Sequence, residues 1–212
     1  AWAAYGIEGR LHFACVRDHA EDFGTTEYLR DTAVQAGLDT AFLHVDEIGW
    51  DGLGFVDLED RPILNLFKLY PWEWMIAEAF GQHIRASRIR VIEPPWKMIL
   101  SNKAILPIVW EMFEGHPNLL PAALDPARIA GPVVEKPALG REGEGVVLHP
   151  QGAREPKPGH VYQALAPLPD FDGNFAVIGS WVIASQPAGS GIREDDGAVT
   201  TNLSRFVPHC FE

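Results

Sequence analysis

Val133–Val147 reads VVEKPALGREGEGVV, and its composition sets the reading of the whole chain. Val133 and Val134 open a short apolar strand, and Lys136 and Pro137 follow. Gly140, Gly143 and Gly145 space a loop, and Val146–Leu148 resume extended chain. Glycine permits positive φ and close backbone approach, and successive N–H groups in such a turn form an anion-binding nest. Lys136 and Arg141 add fixed positive charge. A hairpin of this kind in an acidic protein is expected to act as a flap over a polyphosphate. The spacing is neither Gly-x-x-x-x-Gly-Lys-Ser/Thr opening a helix nor Gly-x-Gly-x-x-Gly, which excludes the two commonest phosphate loops. Read alone, the stretch is equally compatible with a polar surface hairpin whose charges are solvated.

Working outward, 212 residues are enough for one large domain or two small ones, and 47% apolar with 22% charged residues is the composition of a folded globular chain. With 17 Lys plus Arg against 29 Asp plus Glu, the net charge of -12 argues against nucleic acid or an anionic membrane as partner. Cys15 and Cys210 are too few for a disulfide framework or a zinc site. No signal peptide or membrane span is visible, and a reducing, cytoplasmic location is expected.

In chain order, the strand Arg10–Asp18, a helix over Thr25–Leu38 and the strand Thr40–Ile48 form a βαβ unit. Thr25 is the expected N-cap and Gly37 the expected C-cap. Glu21 and Asp22 fall in the acidic loop after the first strand, where open α/β sheets bind ligands. Lys68 interrupts an apolar strand and either snorkels or faces a ligand. A helix follows Pro71, with Trp72, Ile76, Ala79 and Phe80 as its buried face. Ser101 and Asn102 cap a further helix carrying Ile105, Ile108, Val109, Met112 and Phe113 on one face. Lys103 in its first turn opposes the helix dipole unless an anion lies nearby. Trp72, Trp74, Trp96, Trp110 and Trp181 are read as core.

Four segments, FKLYPWEW, SNKAILPIVWEMF, EKPALGREG and VYQALAPLP, followed by GSW, GIRED and LSRF, together resemble the synthetase domain of the glutathionylspermidine synthase family and its stand-alone bacterial ligases. The resemblance covers about Leu11 to Phe206. It implies an α+β chain: an ATP-grasp fold, residues 100–212, preceded by a βαβ pre-ATP-grasp-like lobe, residues 1–99. It further implies that Lys103 and Lys136 reach the nucleotide, and that Gln163 with the backbone through Ala164, Leu165 and Ala166 forms the adenine-side hinge. Arg141 would lie over the transferring phosphoryl group, and Arg193 would steady the charged intermediate. Glu21 and Asp22 are where amine or peptide contact is expected.

The implied chemistry is ATP- and Mg²⁺-dependent amide formation. A carboxylate attacks the γ-phosphorus and expels ADP, giving an acyl phosphate, from which an amine then displaces phosphate. The substrates implied are a small carboxylate or peptide, with glutathione the family-level candidate, and an amine. Two departures bear on this. The family's metal-binding Asp, Glu and Asn lie upstream of the matched region, and neither Arg-x-Asp nor Glu-x-Asn-x-Asp precedes Leu11. The chain is therefore expected to be a fragment without its own metal ligands, inactive or nearly so by itself. Arg205 stands where the family places an acidic polyamine contact, and it would repel a polyamine. The alternative is a non-catalytic nucleotide- or peptide-binding module on a degenerate ATP-grasp fold.

Overall fold

The computed structural model describes residues 1–153 and 155–210. The chain divides into two compact units, Ala1–Met98 and Ile99–Glu212. Unit one is built on four parallel strands in the order β2-β1-β5-β6: β1 (Leu11–Cys15), β2 (Thr40–His44), β5 (Asn65–Leu69) and β6 (Arg90–Ile92). Helix α1 (Ala20–Gln35) joins β1 to β2, and a small ribbon of β3 (Gly49–Trp50) and β4 (Phe55–Val56) precedes β5. A parallel sheet needs both faces covered, so its central strand reads as a continuous apolar run. All five residues of β1 are buried. Leu11 and Phe13 pack with Ala33 of α1 and Ile92, whereas Ala14 joins Leu66, Phe55, Trp72 and Met75 in a second cluster. His12 is also buried. Its Nε2 lies 3.3 Å from Asp57 Oδ2, and burial holds the imidazole below its ordinary pKa.

Three expectations change here. Helix α1 starts five residues before Thr25, so Glu21 and Asp22 lie in its first turn and not in a loop. His19 is the cap: its Nδ1 accepts from the Asp22 N–H, and two acidic side chains in the first turn suit the positive end of the helix. Helix α2 (Trp72–Met75) is one turn long and gives way to a 3-10 segment, leaving Ile76 49% exposed. Lys68 is held internally, its Nζ donating to the Tyr70 carbonyl at 2.7 Å and lying 4.3 Å from the Trp72 ring centroid.

Unit two carries two antiparallel sheets. α3 (Met98–Ser101) and α4 (Ile105–Met112) lead to β7 (Ala122–Ala123), β8 (Val133–Pro137), β9 (Val147–His149) and β10 (His160–Ala164), which pair in the order β7-β10-β8-β9. Then β11 (Asp170–Phe171), β12 (Asn174–Ile183), β13 (Gln186–Asp195) and β14 (Arg205–Val207) pair in sequence order. A smaller core of Ala123, Ile129, Val133 and Tyr162 sits behind the first sheet. Of the five tryptophans read as core, Trp72 is buried and Trp110 half-buried, but Trp74, Trp96 and Trp181 are more than half exposed. Ile108, Met112 and Phe113 of the α4 region are exposed as well. Apolar spacing marked these faces without showing whether another layer covers them.

Candidate nucleotide site

Alternation along β8 sends Val134 and Lys136 to one face of its sheet and Glu135 to the other. On β10, antiparallel pairing sets Gln163 opposite Val134 and Val161 opposite Lys136. Gln163 and Lys136 are thus diagonal neighbours on one face, and Lys136 Nζ donates to Gln163 Oε1 at 2.7 Å. Lys103 sits in the turn just before α4, not in the helix itself. Its N–H donates to the Ala138 carbonyl at 2.8 Å and its Nζ to the Gly140 carbonyl at 2.6 Å, which ties it to the base of the glycine loop.

These side chains line one cavity of about 320 Å³, with Ala164, Leu165 and Ala166 continuing the wall past Gln163. That volume is in the range of small-ligand pockets. The remaining lining, which the sequence reading did not single out, includes Leu148, Leu168, Val177 and the segment Ala198–Thr200. The loop contributes Gly143 and Val146. Gly143 has φ +76°, and a Cβ there would come within 2.5 Å of the Thr200 carbonyl oxygen. Only glycine lets the loop meet that segment.

Burial and like charge both act on the lysines of this cavity. Burial is the main cause holding the Lys136 ammonium below the ordinary lysine range, and the nearby Lys103 charge adds to it. Burial also lowers Lys103, helped by the Arg141 guanidinium. Two mutually repelling cations in one cavity with an apolar wall suit a ligand carrying both an anionic and an apolar part.

Arg141 lies on the loop and acts on Lys103 through its charge, but it is not in the cavity lining. Arg193, on β13, is not in the lining either: its Nη2 donates to the Thr201 carbonyl at 2.8 Å, and its guanidinium lies 5.2 Å from the Phe206 ring centroid. Its buried Nε has no hydrogen-bond partner among the described residues. Arg205 is engaged by Asp196 and Asn174, each at 2.9 Å. Glu21 and Asp22 belong to unit one, on α1. Among the described residues no group of three or more His, Cys, Asp or Glu side chains could hold a metal ion. No helix among them is long and apolar enough to cross a membrane.

The family model described as glutathionylspermidine synthase preATP-grasp matches residues 2–212. The chain is 42% identical over 220 residues to a Haemophilus influenzae protein described provisionally as an acid–amine ligase, covering 95% of this chain and 56% of that protein. It is 32% identical to the trypanothione synthetase of Crithidia fasciculata, covering 98% of this chain and 37% of the relative. It is 26% identical to the bifunctional glutathionylspermidine synthetase/amidase of Escherichia coli, covering 98% and 39%. The chain thus spans between about a third and somewhat over half the length of these relatives. The crystal structure of a D-cycloserine synthetase shares the mixed helix-and-sheet fold, with a TM-score of 0.58 at 14% identity, over 95% of this chain and 76% of the other.

Proposed function

This chain belongs to the glutathionylspermidine synthase family, and from that premise we propose that it supplies the nucleotide-binding part of an ATP-dependent carboxylate–amine ligase. Its second unit is read as an ATP-grasp portion and its first as the substrate-side lobe. The observation that carries the proposal is the convergence of Lys103 and Lys136 on one cavity beneath the glycine loop. There the ammonium groups bind and orient phosphate oxygens, and the wall from Gln163 to Ala166 receives the base. Closure of the loop excludes water, which strengthens both contacts and keeps an activated acyl group from hydrolysis.

Arg141, carried on the loop, is assigned to the transferring phosphoryl group, and Arg193, whose Nε has no partner among the described residues, to the charged intermediate. Glu21 and Asp22 are assigned to the amine or peptide. A small carboxylate or peptide and an amine are the proposed substrates, and the relatives named for glutathionylspermidine synthesis make glutathione the first acid to try. Magnesium is the metal such chemistry uses, and the described residues offer no group of three or more His, Cys, Asp or Glu side chains to hold it.

Titration calorimetry with a non-hydrolysable ATP analogue tests the proposal. The wild type is expected to bind, and Lys136→Ala to weaken binding about tenfold or more, the worth of one charged contact. Equal binding by the two proteins would remove the nucleotide from this cavity.

A further inference from the structure

Glu135 is one of two buried carboxylates among the described residues, the other being Asp57, and it is 2% exposed. It lies on the face of β8 opposite the cavity, and its oxygens collect partners from three other segments. His149 Nε2 on β9 is 2.9 Å from Oε2. Lys157 Nζ, in the connection between β9 and β10, donates to Oε1 at 2.6 Å. His160 Nε2 on β10 stands 3.7 Å from Oε1. The Lys157 segment is itself pinned to the fully buried Tyr162, whose Oη accepts from the Lys157 N–H at 3.0 Å and donates to the Glu155 carbonyl.

β9 needs such a fastening. It is an edge strand of three residues, paired only through Val133↔His149, Val134↔Leu148 and Glu135↔Val147. It is also the return strand of the glycine loop, and Leu148, Val146 and Gly143 all line the cavity. Short edge ladders open readily, and whatever fixes β9 fixes that wall. A buried carboxylate is costly unless its partners are in place, so its three contacts stand or fall with one backbone arrangement.

We infer that Glu135 is a positioning residue: it latches the return strand of the loop and the β9–β10 connection to β8, and so sets the nucleotide cavity without touching the ligand. The latch rests on the geometry alone, and its effect on ligand rests on the nucleotide reading of the cavity.

Hydrogen exchange on the full chain, followed by titration of the same non-hydrolysable ATP analogue, tests both halves. In Glu135→Gln the amides of Val147–His149 are expected to exchange about tenfold faster, while those of Val161–Gln163 keep their protection. His149→Gln, which leaves the carboxylate and Lys157 paired, is expected to loosen β9 in the same way, so the inference stays testable should Glu135→Gln fold poorly. Analogue affinity is expected to fall about tenfold in either variant. Unchanged β9 protection in both variants, or protection lost evenly across β8, β9 and β10, overturns the latch. A loosened β9 with undiminished affinity overturns the positioning role. A wild type that binds no analogue overturns the nucleotide reading, and exchange then decides the latch by itself.

Discussion

Strand β1 buries all five of its residues, whereas the last six residues of β12 are all exposed. Both are apolar stretches, LHFAC against IGSWVI. β1 lies in the middle of a parallel sheet with packed clusters on either side. The outer part of β12 pairs with β13 alone, because β11 reaches only Phe175 and Asn174, and β14 only Ile192–Glu194. Burial here follows from the number of layers around a strand more than from the strand's own composition, and the two units divide on that line. The first unit draws its stability from core volume, and the second is a framework of ladders, buried polar contacts and a glycine loop around a cavity.

The largest effect should separate the two strands outright. Phe13→Ala empties the centre of the first unit and is expected to cost about 3–5 kcal/mol in urea unfolding. Trp181→Ser in the β12–β13 ribbon is expected to change stability by less than about 0.5 kcal/mol. Similar costs for the two would show that the ribbon is packed after all.

A smaller effect compares glycines at nearly equal φ, +75° at Gly9 and +76° at Gly143. Gly9→Ala meets nothing within 4 Å and should cost only the backbone strain, about 1–2 kcal/mol. Gly143→Ala adds the collision with the Thr200 carbonyl, so thermal melts should show a larger loss, or titration a weakened ATP analogue with the loop held off its seat.

The smallest effect is in pH. Lys103 and Lys136 have folded-state pKa values below the unfolded ones, so the unfolded chain binds more protons as pH approaches them from below. Their charged burial costs stability at neutral pH, and that cost is relieved as pH rises toward the ordinary lysine value. A bound polyanion reverses the preference. Analogue binding should take up protons at alkaline pH and weaken as pH rises through the depressed values, which calorimetry in buffers of different ionisation heat reads directly. His12 and Glu135 shape the acid side instead. Burial keeps His12 neutral when folded, and the Lys157 and His149 contacts hold Glu135 below the ordinary carboxylate range, so stability from both is lost as pH falls.

The βαβ order of the first unit was legible because period and punctuation agree there. The helix start was not, since a histidine ring supplied the cap that the sequence assigned to a threonine hydroxyl. Lys136 is marked by its charge at the base of the glycine loop and Gln163 by motif resemblance alone, and the diagonal pairing that joins them is set by a register no local pattern encodes. The segment Ala198–Thr200 carries no charge or motif, so nothing in its composition marked it as a wall of the cavity. Glu135 lies inside the Val133–Val147 stretch, but its importance rests on partners up to 25 residues away that only the folded sheet brings together.

Photolabelling with 8-azido-ATP, followed by mapping of the labelled peptide, tests the central claim most directly. The account predicts label in the segment Tyr162–Leu168 at the end of β10, suppressed by excess ATP. ATP-protected label in the first unit, or label in the β10 segment that ATP does not suppress, would contradict it.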